Sequence, residues 1–350
     1  MTPKISVCVP TRNRAASLAR TLTAILGQTA QDFEIVVGDD ASTDSTADIV
    51  KGFTDSRIRY LRHRTNLGIY ANWNSLIAEA RGRYIAIYHD HDTYLPTILE
   101  RSTTLLEEHP RMAFVHTAFV LVDRNGLPLD VFSGDYDEVM SGRALQELFS
   151  QTTRSRICAA STLVRREAYA TAGPFDPRYG LGADRLMWLR LAATGDIGYV
   201  TDPQVLILGR SPGDPTERFD LTDLFANFET SLEALRNVCP LGSVEQWTRQ
   251  RQLRKEVQRD LFAGLVKAIV LGTRSEIAER TKLVTSALSP LEARLARALT
   301  RSPLRPIVRV LAGRLYRQRL AERQRRAIEF VRESVRLRGH LPSSQAINAA

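Results

Sequence analysis

Between Ile5 and Asp90 the chain repeats one pattern: a short apolar run rich in β-branched residues, a polar turn, then a stretch with helical spacing. The runs Ile5 to Val9, Phe33 to Val37, Ile58 to Leu61 and Tyr84 to Tyr88 predict strands. Leu18, Leu22, Ile25 and Leu26 predict one face of the first helix, and Ile49 with Phe53 that of the second. Strands alternating with helices at this spacing imply an α/β fold with a mostly parallel sheet covered on both faces. Ligands of such sheets sit beyond the carboxyl ends of the strands.

The polar residues that stand out fall at those ends. The first end is Pro10-Thr11-Arg12-Asn13-Arg14, and the second is Gly38-Asp39-Asp40-Ala41-Ser42-Thr43-Asp44. Ser42 or Thr43 can cap the following helix. Asp39 and Asp40 either help that helix start or accept hydrogen bonds from a base or ribose, and the residues alone leave both readings open. Asn66-Leu67-Gly68 reads as a turn. The run Arg83 to Tyr88 then leads into Asp90-His91-Asp92. In an extended segment residues i and i+2 point to the same side, so both carboxylates can face one point where the strand stops. Two hard oxygen ligands suit Mg²⁺ or Mn²⁺ carrying a diphosphate, and a polar loop after a buried strand is the plain alternative.

Further along, Met112 to Val122 predicts a strand closed by an Asp123 to Gly126 turn, and Ile157 to Val164 another. The segment 127–150 carries acids and turns and reads as a variable loop. Ala183 to Ala193 is helical, with Trp188 read as packing in preference to sugar stacking. Beyond Asp220 strands give way to helices over 219–238, 243–271, 275–287, 290–300 and 304–338, and residues 343–350 read as a frayed end.

Charge is concentrated in the tail: twelve arginines against three glutamates between Arg301 and Arg338 account for the whole net charge of +9. The helix 304–338 can lie on an anionic membrane surface with its apolar side down. It can instead pack on the rest of the protein or on a second copy, or meet another polyanion, nucleic acid being the least favoured. Cys8, Cys158 and Cys239 have no CxxC spacing, which argues against a disulfide framework and a zinc site. Met1 to Lys4 runs straight into the first strand with no leader pattern, and no apolar run is long enough to span a bilayer. A cytoplasmic protein, peripheral at the inner face of the membrane if the last helix binds lipid, is the expectation.

The ordered motifs Val7-Cys-Val-Pro-Thr-Arg-Asn13, Glu34-Ile-Val-Val-Gly-Asp-Asp-Ala-Ser-Thr-Asp44, Asn66-Leu-Gly68 and Ala80 to Asp92 resemble the family 2 inverting glycosyltransferases of GT-A fold. The likeness continues through Ala160 to Arg166, Ala172 to Pro177 and Gly182 to Arg190, covering roughly residues 4–210. The resemblance implies a nucleotide-sugar donor, usually a UDP-sugar, and Mn²⁺ or Mg²⁺. It implies Asp92 in direct contact with the metal, and Asp90 reaching the metal through water or meeting the ribose. Asp40 with Asp39 nearby would hold the base, while Pro10, Thr11, Arg12, Asn66 and His91 would line the donor pocket. Asp184 would be the catalytic base. Two departures are His91 between the acids and Ala183 where many members have Glu. A further one is the lack of histidine in 206–215, which speaks against a metal or phosphate ligand from this segment, although Arg210 could still meet a phosphate.

The domains expected are a catalytic unit over 1–215, a helical region over 216–300, and an arginine-rich amphipathic helix and tail over 301–350. The acceptor would be a glycan or lipid-linked hydroxyl, met by the variable loop over 127–150. A metal-dependent nucleotidyltransferase is the rival enzyme, but it wants a glycine-rich phosphate loop where Pro10 to Ala15 stands. A non-catalytic scaffold for membrane or nucleic acid leaves the acidic stations without a purpose. Asp184 can also serve merely as a helix-start carboxylate.

Overall fold

The computed structural model of the chain describes residues 2–123, 125–134, 136–208, 221–271, 281 and 305–338. The expected alternation opens the fold: β1 (Ile5–Thr11), α1 (Ala15–Leu26), β2 (Phe33–Asp39), α2 (Thr46–Lys51), β3 (Ile58–Arg62), α3 (Ile69–Glu79) and β4 (Tyr84–Ile87). These strands lie parallel in the order β3-β2-β1-β4. Then come β5 (Thr93–Tyr94), α4 (Ile98–Glu108), β6 (Met112–Val122), β7 (Pro128–Phe132), β8 (Val139–Met140) and α5 (Gly142–Phe149). After them run β9 (Thr162–Arg165), α6 (Arg166–Ala172), α7 (Ala183–Ala192) and β10 (Asp196–Leu208). The sheet continues β4-β9-β6-β10-β5, with β6 and β10 parallel to each other and β9 antiparallel to both its neighbours.

Both faces of the sheet are covered because its central strands are apolar on both sides. Ile5, Val7 and Val9 pack with Leu18, Leu22 and Ile25 of α1 on one face. Cys8 and Val36 pack with Tyr70, Trp73 and Leu76 of α3 on the other. Burying a side chain of this size contributes about 1.5–3 kcal/mol. At the amino end of β4, a Cβ on Gly82 would stand 2.5 Å from the Ser6 nitrogen, so only glycine lets β4 close on β1. The Gly82 N–H donates to Ser6 Oγ at 2.8 Å, and that hydroxyl donates to Glu34 at 2.7 Å. Burial alone would raise the Glu34 carboxyl, but hydrogen bonds from Ser6, Arg59 and the Arg81 N–H hold it below the ordinary carboxylate range.

Several expectations are corrected. α2 ends at Lys51, so Phe53 lies beyond it, and Thr46 and Val50 supply the buried face. β4 stops at Ile87, and residues 88–92 form a turn. The strand expected over 157–164 begins only at Thr162, after a 3-10 turn at Ala159–Ser161. The acceptor loop assigned to 127–150 contains β7, β8 and α5, because its alternating apolar residues find partners on β6 and β10. The Asp123 turn does form: Asp123 Oδ1 accepts the Asn125 and Leu127 N–H groups, and Gly126 has φ 76°.

The helical region contains α8 (Leu221–Val238), α9 (Val244–Leu271) and α10 (Arg305–Arg338). Apart from Thr281, the helices expected at 275–287 and 290–300, Arg210 with 209–215, and the end at 343–350 lie outside the described residues. α10 packs on the protein: Ala327 is buried, and Val331 joins Val120, Val122, Val131 and Leu206. Arg323 lies 3.7 Å from Asp130, while Arg314, Arg319, Arg325, Arg326 and Arg332 face outward. Among the described residues, no helix is long and apolar enough to cross a membrane.

Candidate active site

Three strand ends and one helix start converge. Parallel register puts Thr11 of β1 beside Asp39 of β2, and the Asp40 N–H donates to the Thr11 carbonyl at 2.9 Å. Thr11 is buried, and its hydroxyl donates to Asp90 Oδ2 across 2.6 Å, tying the end of β1 to the turn after β4. Pro10 is half-buried; Arg12 and Arg14 are exposed at the rim, with Arg14 Nε 3.7 Å from Asp90 Oδ1. Arg14 belongs with the site, although sequence reasoning did not single it out.

Asp39 and Asp40 do not start the following helix. Asp44 does, accepting from Thr46 and, on its other oxygen, from the Ala15 N–H at the start of α1. The Thr46 hydrogen bond is the main cause that lowers the Asp44 carboxyl below its ordinary range. Ser42 and Thr43, expected as caps, bind Asn13 instead. Asp39 is fully buried and engaged by the Ser42 N–H at 2.8 Å and by the Tyr60 hydroxyl. Asp40 accepts the N–H groups of Leu67 at 2.6 Å and Gly68 at 3.0 Å, so it pins the 66–68 turn at the mouth of the site. Gly68 has φ +85°, and exposed Asn66 closes the turn by accepting its N–H at 3.1 Å. A carboxylate offers about four lone pairs, so Asp40 keeps capacity for a further donor.

Because residues 88–92 turn, the i, i+2 argument for Asp90 and Asp92 does not apply. Asp90 swings toward Thr11 and receives His91 Nδ1 at 2.9 Å. Asp92 is buried, with His89 Nδ1 2.9 Å from Oδ2 and the Leu208 N–H donating to Oδ1 at 3.0 Å. The His89 ring stacks on Trp73 at 5.9 Å and on His91 at 5.6 Å. Burial works against charging His89, but Asp92, then Asp90 and Asp184, outweigh it and raise its pKa. One donor atom each from His89, His91 and Asp92 lie within 4.8 Å of one another, a donor set that fits a divalent cation. His89 was missed from the sequence; its place three residues before Asp92 was the available signal.

Asp184 sits half-buried in the first turn of α7, its Oδ1 accepting the Arg185 N–H at 2.6 Å. Its charge acts on His89 and on Cys158, as does that of Asp92, so the two acids share one neighbourhood. Arg185 anchors this helix start. Its buried guanidinium donates to the carbonyls of Phe149, Thr152 and Arg154 and to Ser231 Oγ, and burial pushes its pKa down to about 10. Trp188 is fully buried against Phe114, as packing requires. His116 lies inside the sheet, and burial pushes its pKa down to about 3, which keeps it neutral. A cleft of about 500 Å³ lined by Arg111, Arg165, Glu167 and Asp196 opens at the opposite ends of β6 and β10, away from the acids.

Comparison with known proteins bears on what this cluster serves. Residues 6–171 match the family model for glycosyl transferase family 2. A PGL/p-HBAD biosynthesis glycosyltransferase of Mycobacterium bovis is 30% identical over 52% of this chain and 67% of its own length. The chain belongs to glycosyl transferase family 2. An uncharacterized glycosyltransferase of Rickettsia bellii is 26% identical over 57% of this chain but only 28% of its own, so the likeness covers under a third of that longer relative. Among solved structures, S. aureus TarS 1-349 in complex with UDP-GlcNAc superposes with a TM-score of 0.57 at 18% identity, covering 94% of this chain and 92% of that one. Mannosyltransferase PcManGT from Pyrobaculum calidifontis, in complex with GDP-Man and Mn²⁺, gives a TM-score of 0.50 at 18% identity over 89% and 87%. This family 2 chain therefore has the expected α/β fold of GT-A type with a helical C-terminal region.

Proposed function

We propose that this protein is an inverting, metal-dependent glycosyltransferase. It would move a sugar from a nucleotide-sugar, a UDP-sugar first, to a hydroxyl of a glycan or lipid-linked acceptor in polysaccharide biosynthesis. The observation that carries the reading is the meeting of Thr11, Asp40, Asp90 and Asp92 at the carboxyl ends of β1, β2 and β4, with Asp184 in the same neighbourhood, in a family 2 chain. The ligands of the two structural neighbours support the donor class, and the Mn²⁺ of one supports the metal.

In this reading Asp40, Asn66 and Thr11 line the nucleoside side, with Asp39 bracing the end of β2 from beneath. Arg12 and Arg14 offer charge to the diphosphate at the open rim. The turn that carries Asp90 and Asp92 would hold a divalent cation, Mn²⁺ or Mg²⁺, with Asp92 in direct contact, and the ion would supply Lewis acidity toward the departing diphosphate. Asp184 takes the proton of the acceptor hydroxyl as its oxygen bonds to the anomeric carbon and the bond to the diphosphate breaks on the opposite face. Displacement from one face inverts the configuration, so an α-linked donor gives a β-linked product. Residues 1–215 would carry this chemistry, and 216–300 and 301–350 would support it. The outward arginines of α10 would hold the protein to the anionic inner face of a membrane, where the acceptor is.

The test is a screen of nucleotide-sugars with Mn²⁺ or Mg²⁺, read by thermal stabilisation and by released nucleotide. One donor should stabilise the protein and release nucleoside diphosphate. Release of pyrophosphate would favour nucleotidyl transfer, and silence toward every nucleotide-sugar would sink the proposal.

A further inference from the structure

The acids of this site alternate with histidines, His89-Asp90-His91-Asp92, and the turn gives the four side chains unequal tasks. We infer that the cation is held by His89, His91 and Asp92, with Asp90 orienting His91 from behind. The site would thus take a first-row transition dication, from Mn²⁺ to Zn²⁺, ahead of Mg²⁺. The inference rests on reading this turn as the ion-binding part of the donor site, and deepens it by naming the ligand atoms.

Both oxygens of Asp90 are already engaged. One of its oxygens accepts the Thr11 hydroxyl at 2.6 Å, and the other faces His91 Nδ1 at 2.9 Å and Arg14 at 3.7 Å. In the neutral tautomer that donates from Nδ1 to Asp90, His91 keeps its lone pair on Nε2. That lone-pair nitrogen lies 3.9 Å from Asp92 Oδ1. Two ligands bound to one ion at about 2.1 Å each stand about 3 Å apart when adjacent and at most about 4.2 Å apart when opposite. The Nε2 to Oδ1 distance falls in that interval. So does the 2.9 Å between His89 Nδ1 and Asp92 Oδ2, where an ion would replace the shared proton. The three donor atoms, which lie within 4.8 Å of one another, would draw in by roughly half an ångström on an ion.

The rings are held for the task. His89 and His91 stack with planes 10° apart, and Trp73 backs His89. The Leu208 N–H fixes the Asp92 carboxylate. A carboxylate behind a ligating imidazole is the usual outer layer of a histidine-bound metal, and it raises the basicity of the ligand. Imidazole nitrogen favours transition ions, whereas Mg²⁺ prefers oxygen and its own waters.

The experiment loads the full chain with Mn²⁺ in the absence of donor and records pulsed EPR, with calorimetric titration of Mn²⁺ and Mg²⁺ in parallel. The expected spectrum carries ¹⁴N coupling from imidazole, and Mn²⁺ should bind at least about tenfold more tightly than Mg²⁺. His89→Asn and His91→Asn should each weaken Mn²⁺ by roughly 10- to 100-fold and leave Mg²⁺ within about twofold. Asp90→Asn should weaken Mn²⁺ about tenfold yet keep the ¹⁴N coupling, the mark of a positioning residue. Bound Mn²⁺ without nitrogen coupling, an unchanged Mn²⁺ to Mg²⁺ ratio in both histidine variants, or no Mn²⁺ binding overturns the inference. Nitrogen coupling without use of any sugar donor would instead overturn glycosyl transfer and leave the ion site standing. Donor turnover with an ion lacking that coupling would do the reverse.

Discussion

Thr11→Val isolates the bond that joins the end of β1 to the turn after β4. The substitution keeps the branched shape and removes one hydroxyl. Asp90, 4% exposed, would lose the 2.6 Å hydrogen bond to Oδ2 and keep only His91 and Arg14, both on Oδ1. A hydrogen bond to a charged group contributes about 1.5–3 kcal/mol, and a buried acceptor left unpaired costs a similar amount. The expected loss is about 2 kcal/mol, read as a lower urea midpoint at unchanged slope. Thr11→Ser keeps the hydroxyl and should recover most of it. Because Asp90 orients His91, the valine variant should also bind Mn²⁺ less tightly, whereas a purely structural role would leave ion affinity untouched. Wild-type stability and Mn²⁺ affinity in Thr11→Val would refute the reasoning.

Asp184→Asn should leave donor affinity unchanged and lower kcat by about 10²- to 10⁴-fold, the usual contribution of a general base; equal turnover would remove Asp184 from the mechanism. Glu34 has a depressed folded-state pKa, so its stabilisation is present above its ordinary value of 4.5 and is lost as pH falls through the folded value. Urea midpoints of wild type and Glu34→Gln should therefore differ at pH 7 and converge in acid; a gap that persists there would contradict this. Changing Arg314, Arg325 and Arg332 to Gln should reduce co-sedimentation with vesicles containing phosphatidylglycerol and leave neutral vesicles unaffected; no binding by the wild type would end the membrane assignment.

The sheet-bearing half of the fold was legible because apolar periodicity is a local property. β6 was placed to the residue, β1 and β2 each ran two residues past the expected end, and α7 ended one residue early. Where the reading failed, the deciding interaction came from far along the chain. The turn at 88–92 closes because Asp92 is met by Leu208, and Asp90 by Thr11. Neither partner is visible within a local window. The acceptor loop became strands and a helix for the same reason, since β7 and β8 exist only against β6 and β10.

By itself the sequence determined the alternating strands and helices of the first ninety residues and the acids that follow their strands, since both follow from side-chain period and turn chemistry. Only the tertiary structure decided that Asp40 holds a turn, that Asp90 serves His91, and that Arg185 anchors the helix bearing Asp184. A charged group takes its role from the partners that replace its water, and those partners are brought together only by the folded sheet.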